Sequence, residues 1–327
     1  MSSPARSRDR TTRSDRIALS SRAILTSSSP PALTIRPMSE PRNVRDLLRL
    51  GERVLDDSSH IFEDHDNAGS ARELLGHVLK TDKGKLKQKR EVRPAQRDRY
   101  LALIARRAAG EPMPFLLGYI EFYGLELKVK PGAFVPRPSS ELVVAQALKR
   151  LRRRRSPTVV DVCTGAGPIA LAIADEIPDA DVYGTDILAE GLAQGRANAR
   201  RLRIENVKLK QGDMYGSLPQ RLRGKVDVIT GHVPYVPAHE LDDLPAEVAE
   251  HEPTLTLTDS SDGTYLMEIA IREAHDWLKP GGWLLLEMSE DFAPKARRLF
   301  KRHGLMDRGV ASDNDGLSIV AEAQAPS

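Results

Sequence analysis

Apolar positions repeat with two different periods along the chain, and the change falls near its middle. From Val44 to about Gly110 the spacing is helical. Val44, Leu47, Leu48, Val54 and Leu55 share one face; Leu74, Leu75, Val78 and Leu79 repeat the pattern, as do Tyr100, Leu103, Ile104 and Ala108. This predicts a small helical domain over residues 41–112. The stretch "KTDKGKLKQKREVRP" inside it is polar and basic, and reads as a solvated connection, with a contact for RNA or an acidic partner as the alternative. Residues 113–140 then alternate apolar and polar around Gly124 and Gly132, which predicts a β-hairpin linker. Ser139 or Ser140 is placed to cap a helix that starts near Glu141.

Beyond "RRRRSP" the period alternates between strand and helix. "TVVDV", "DVYGTDI", "VKLKQGD", "VDVITGH" and "GWLLLEM" read as strands, and "GPIALAIADEI" and "LAEGLAQGRANARRL" as the helices between the first three. Strands spaced by helices of this length predict an α/β domain over 141–327, built on a mostly parallel sheet with right-handed crossovers. Arg152 to Arg155 read as a solvated helix end, where cations suit the dipole. Trp277 and Trp283, around "LKPGG", read as packing residues.

Composition changes this picture only at the edges. Residues 1–40 are rich in Ser, Arg and Pro without an apolar period, which predicts disorder, or a misassigned start with translation beginning at Met38. Asp9 and Asp15 count against an organelle transit peptide. A net charge of +3 is too mild to imply nucleic-acid binding. No apolar run approaches the roughly 20 residues needed to span a bilayer. The single cysteine, Cys163, permits no internal disulfide and fits a reducing, cytoplasmic setting.

In an open parallel sheet, ligands bind beyond the carboxyl ends of the strands. The first strand ends in "DVCTGAGPIA", where Gly165 and Gly167 let the backbone turn tightly before a helix N-terminus. The second ends at Asp186, placed to accept the hydroxyls of a ribose. The third ends near Asp213, which could accept from an exocyclic adenine amine. Three acids at consecutive strand ends, with no Gly-Lys-Ser/Thr loop for phosphates, suit a nucleoside better than a triphosphate. His239, His251 and Glu252 do not make a zinc spacing, so no metal is expected. Cys163 is expected to pack, and Asp262-Gly263 to form a turn.

These strand ends, together with "EPMPFLLGYIEFYGLELKV", "FVPRPSSELVV", "GHVPYVP", "EHEPTLTLTDSSDGTYLMEIA" and "KPGGWLLLEM", give the chain its resemblance. From about Val44 to Ala323 it resembles the class I S-adenosylmethionine-dependent methyltransferases, and among them the protein-(glutamine-N5) methyltransferases that modify peptide chain release factors. The resemblance implies a Rossmann-like fold, S-adenosyl-L-methionine as cofactor and a protein substrate. By it Asp161, Cys163, Gly165 and Gly167 border the methionine part of the cofactor, Asp186 the ribose, and Asp213 and Met214 the adenine. Phe122, Ser140 and Glu141 lie on the substrate and cofactor side. The loop His232, Val233, Pro234, Tyr235 falls where the family carries Asn-Pro-Pro-Tyr. There an Asn oxygen and a backbone carbonyl accept from the substrate amide, and the Tyr ring packs on its plane.

Val233 keeps the carbonyl, and Pro234 biases Val233 to extended geometry. His232 changes the chemistry, because neutral imidazole has one acceptor nitrogen and imidazolium none. His232 therefore reads as an acceptor for glutamine, as a general base for another nucleophile, or as the mark of a non-catalytic cofactor-binding homologue. A nucleic-acid base is the alternative substrate, although no aromatic-rich RNA module is evident.

Overall fold

The computed structural model describes residues 43–61, 66–88, 91–312 and 319–327. The expectations for residues 1–40 lie outside them. Helices α1 (Val44–Asp56), α2 (Asn67–Leu79) and α3 (Pro94–Ala108) pack through Val44, Leu47, Leu55, Leu74, Leu75, Tyr100 and Ile104. Asn43 and Asp66 cap the first two by accepting from Asp46 N (3.0 Å) and Gly69 N (2.7 Å). The basic stretch after α2 is not wholly a solvated loop: Lys83–Gln88 form a 3₁₀ turn, and Leu86 is buried in the helical core. A short helix α4 (Met113–Leu117) leads into the hairpin β1 (Tyr119–Phe122) and β2 (Leu125–Lys128).

The remainder is α5 (Glu141–Leu151), β3 (Thr158–Val162), α6 (Pro168–Glu176), β4 (Asp181–Asp186), α7 (Ala189–Leu202), β5 (Val207–Gln211), β6 (Val226–Gly231), α8 (Ala246–Ala249), α9 (Tyr265–Trp277), β7 (Leu278–Met288), α10 (Ala293–Arg302), β8 (Met306–Ser312) and β9 (Ile319–Gln324). The seven strands lie in the order β5-β4-β3-β6-β7-β9-β8. The order reverses between β3 and β6, and their C-terminal ends frame the crevice where ligands bind in such sheets. The first five strands are parallel, while β9 runs antiparallel to both β7 and β8. This makes a Rossmann-like α/β domain carrying a small helical N-terminal region.

Alternation along the strands sends side chains to two cores. Val159, Val182, Val228 and Leu285 pack with α5, α6 and α7, whereas Val160, Ile229, Leu284 and Leu286 pack with α9 and α10. Trp277 is buried and stacks on Tyr215, and the Arg150 guanidinium lies 3.8 Å over the Trp283 ring.

The expected serine cap of α5 is not made: Ser140 occupies the N-cap position in helical geometry with no side-chain hydrogen bond to the helix. Both serine hydroxyls turn elsewhere, as described below. The helical region is tied to the segment after β6 by Arg107, which is fully buried and forms a fork with Glu247 (2.9 and 3.1 Å) while also donating to the Glu111 carbonyl (3.1 Å). A groove of about 850 Å³ lined by Glu73, His77, Lys80, Arg99 and Tyr119 lies between this region and the hairpin. None of the strand-end residues lines it.

Candidate functional site

The loop after β3 turns through three left-handed residues, Cys163 (φ 52°), Gly165 (φ 56°) and Gly167 (φ 77°). At Gly165 a side chain would meet nothing within 4 Å, so the loop presents bare backbone to open space there. Asp186, at the end of β4, holds this loop from the side. One carboxylate oxygen accepts from Gly165 N (2.8 Å) and the other from Leu188 N (2.8 Å). Burial raises its pKa. A carboxylate oxygen has two lone pairs, so each still has capacity for a hydroxyl donor.

Asp161 differs from the role implied by the resemblance. It is fully buried beneath the loop, and its two oxygens accept from Thr164 Oγ1 (2.5 Å) and Thr230 Oγ1 (2.8 Å). Register explains the second bond, because Asp161 pairs with Thr230 across β3 and β6. Asp161 therefore braces two strand ends and does not itself line a ligand surface. Desolvation pushes its pKa up from 3.8 to about 6, against the lowering by its two threonine donors. A folded-state pKa above the unfolded one contributes stability that is complete below about 3.8 and lost as pH rises through about 6. Replacing Asp161 by Asn removes that titration. The stability of wild type relative to Asp161→Asn is expected to drop by on the order of 3 kcal/mol between pH 4 and pH 7, read from urea midpoints. A pH-independent difference would contradict it.

At the third strand end Asp213 is exposed, and Met214 is buried with its sulfur 3.7 Å from Cys163 Sγ. Burial raises the Cys163 pKa, which makes it a packing residue and not a nucleophile. Ile187, half exposed next to Asp186, offers an apolar face between these ends.

The loop His232–Tyr235 leaves β6 directly after Gly231. Val233 is buried. The His232 ring lies nearly parallel to Tyr235 (centroids 5.6 Å apart, 22°) and meets Phe134 edge-on (5.3 Å, 84°). Tyr235 in turn packs on Phe292 at 5.5 Å. His232 Nδ1 is 3.3 Å from Glu287 Oε2 and 3.5 Å from Ser140 Oγ. Ser139 Oγ donates to Glu287 Oε1 at 2.9 Å. So the two serines read as caps belong to the histidine's surroundings. The register also accounts for the carboxylate. Gly231 pairs with Leu286, and one residue further on His232 comes level with Glu287. Burial lowers the His232 pKa, with Glu287 opposing and Arg137 adding to the fall. Arg137 itself is ion-paired to buried Glu252 and lies 4.5 Å over the Phe134 ring.

Two residues placed by the resemblance on the substrate and cofactor side are engaged by the hairpin. Phe122 is fully buried and packs with Leu125, Leu127, Val143 and Val144, because the hairpin folds its apolar face onto α5. Glu141 accepts from Tyr123 N at 2.7 Å and so secures the turn of the hairpin. Glu287, Phe134 and Arg137 were not singled out from the sequence. Glu287 did leave a signal, since it is an acid at the end of the apolar run "WLLLEM" on a parallel strand. His251 and Glu252 lie apart from any metal cluster, and no group of metal-ligating side chains occurs among the described residues.

Comparison with known proteins follows this layout. Residues 46–118 match the family described as the PrmC N-terminal domain, and residues 154–311 match a methyltransferase domain. The release factor glutamine methyltransferase of Burkholderia pseudomallei (strain K96243) is 37% identical over 267 residues, 80% of this chain and 93% of that protein. The protein of the same name from Streptomyces coelicolor is 37% identical over 67% of this chain and 77% of its own length. Among solved structures, a methyltransferase from Pyrococcus furiosus overlays with a TM-score of 0.47 at 18% identity, over 71% of this chain and 99% of that one. With more than a third of residues identical across four-fifths of its length, the chain belongs to the release factor glutamine methyltransferase family.

Proposed function

We propose that this protein methylates the side-chain nitrogen of a glutamine in a peptide chain release factor, with S-adenosylmethionine as donor. The observation that carries the reading is the His232–Tyr235 loop, set at the C-terminal end of β6 beside the loop at Gly165, in a chain of this family. The strand ends fit a nucleoside-bearing donor: open backbone at Gly165, a fixed carboxylate at Asp186, and an apolar surface at Ile187 beside exposed Asp213. Cys163, Gly165, Gly167, Asp186, Asp213 and Met214 would hold it, with Asp161 acting from beneath. When bound, the donor supplies an electrophilic methyl carbon.

The task left to the chain's own residues is to position an amide. Its nitrogen is a weak nucleophile because the lone pair is delocalised into the carbonyl, so orientation carries most of the effect. The Val233 carbonyl and one ring nitrogen of His232 are the acceptors for the amide NH₂. Tyr235 offers a flat face to the amide plane, and its tilted contact with Phe292 (5.5 Å, 51°) helps to keep that face in place. With its pKa lowered by burial, His232 is neutral at pH 7 and retains one acceptor nitrogen. Acting as acceptor is the reading of His232 that fits these neighbours.

The test is to supply methyl-labelled donor with a purified release factor, then with lysate, and to map the label by peptide mass spectrometry. Label on a glutamine side-chain nitrogen is the expected result. Label that disappears with nuclease but survives protease treatment would point to a nucleic-acid base, and donor binding without transfer would point to a non-catalytic homologue.

A further inference from the structure

We propose that Glu287 is a positioning residue for His232, holding the Nδ1 side of the ring so that Nε2 is left as its acceptor. The inference deepens the functional reading above and rests on it for the identity of the substrate, but not for the state of the ring.

Nδ1 has two polar neighbours, Glu287 Oε2 at 3.3 Å and Ser140 Oγ at 3.5 Å. A carboxylate oxygen only accepts, whereas a hydroxyl can do either. A proton on Nδ1 therefore suits both neighbours, and a proton on Nε2 would set the Nδ1 lone pair against the carboxylate. Ser139 fixes the other carboxylate oxygen at 2.9 Å, and the strand register places the group. Glu287 is almost wholly buried, its side chain 2% exposed, while the His232 side chain keeps 16%. The ring thus has a buried anchored edge and some access to solvent. No hydrogen bond to Nε2 comes from a described residue.

The charged or titratable groups facing this ring are Glu287 from β7, Arg137 from the segment before α5, and Tyr235 from its own loop. The arrangement serves the reaction in a balanced way. With donor bound, the amide nitrogen would take the methyl carbon, and the electron pair of the broken methyl–sulfur bond would stay with the departing donor. The nitrogen then has one proton too many; its N–H bond breaks, the proton goes to Nε2, and the resulting imidazolium faces the Glu287 carboxylate before releasing the proton to water. An amide in place of the carboxylate leaves the geometry nearly intact but permits the wrong tautomer, the kind of change that cripples histidine-dependent catalysis.

The experiment uses the full-length protein labelled with nitrogen-15 histidine. Signals of His232 are identified by their loss in His232→Asn, and two-bond proton–nitrogen correlations are recorded near neutral pH without donor or substrate. Nδ1 is expected to carry the proton in wild type, with the population shifting toward Nε2 in Glu287→Gln. A proton on Nε2 in wild type, the state in which Ser140 donates to Nδ1, overturns the proposal. In turnover, Glu287→Gln is expected to lower kcat by about 10- to 100-fold, with the acidic limb of the pH profile moved to lower pH because the opposing charge is gone. Made in the His232→Asn background, the same change should cost less than about threefold, since an Asn has no tautomer to fix. Equal losses in both backgrounds would reduce Glu287 to a structural role. A wild type that keeps the Nδ1 tautomer yet methylates no glutamine would sink the substrate reading alone.

Discussion

Replacing His232 by Ala is expected to lower kcat for glutamine methylation by about 100-fold while changing the KM for the donor little. The magnitude follows from losing one hydrogen-bond acceptor aimed at the reacting nitrogen, on the order of 2–3 kcal/mol of transition-state stabilisation. In the proposed function donor binding would rest mainly on the loop at Gly165 and on Asp186, which the substitution leaves in place. The pH dependence gives an independent check. Desolvation lowers the His232 pKa from its ordinary 6.5 more than Glu287 raises it, and Arg137 adds to the fall. The ring is neutral above that lowered value, and imidazolium has no acceptor. Activity should thus be level near neutral pH and fall only as pH drops through a value below 6.5. In His232→Asn the amide does not titrate, so that limb should vanish while transfer continues. A limb that persists in His232→Asn would assign the titration to another group, and an undiminished kcat in His232→Ala would remove His232 from the reaction.

The central parallel strands were legible as apolar runs because the sheet buries both their faces, whereas the edge strand β5 showed only as the alternation of VKLKQ, with Leu209 its one buried residue. The antiparallel pair β8 and β9 was not legible. β8 is an edge strand with mixed exposure, and β9 carries Glu322 inside a buried run, where Arg150 pairs with it. Neither shows the clean alternation that marks a strand. The acids at strand ends were legible as a set, but their individual tasks depend on depth. Asp161 and Asp186 sit at the ends of neighbouring strands, yet one is sealed beneath two threonines and the other reaches the loop backbone. The serines before α5 show the limit of local reasoning. Their sequence context is that of a helix cap, and only the return of β7 beside β6 supplies the partners that draw their hydroxyls away. Phe122 shows the same limit, because an aromatic residue in a hairpin can face a ligand or a core, and here α5 provides the core.

Gly263→Ala is expected to damage both stability and activity, although Gly263 is not among the residues proposed to hold donor or substrate. Residues 257–265 clamp the His232–Tyr235 loop through backbone bonds, Val236 N to Leu257 O (3.0 Å) and Ala238 N to Ser261 O (2.8 Å). Asp259 organises the clamp by accepting from Ser261 N (2.8 Å), Gly263 N (3.1 Å) and Tyr265 N (2.6 Å). Gly263 has φ 80°, and a Cβ there would lie 3.0 Å from Phe292 Cζ and closer still to the Tyr235 carbonyl oxygen. That oxygen is backbone and cannot swing aside, so the loop itself must move. Left-handed strain of about 1 kcal/mol and overpacking of about 1–3 kcal/mol together give a loss of roughly 2–4 kcal/mol in urea unfolding. Displacement of Tyr235 carries His232 with it, and a shift near 1 Å in a positioning site costs on the order of 100-fold in kcat. Gly224→Ala separates backbone strain from this contact. Gly224 has φ 67° with nothing within 4 Å of its Cβ position, and it precedes β6 at the end away from His232. It should lose about 1 kcal/mol and keep its turnover. If Gly263→Ala behaved no differently from Gly224→Ala, the 257–265 segment would not be what holds the His232–Tyr235 loop, and the ring contacts from His232 through Tyr235 to Phe292 would have to hold it unaided.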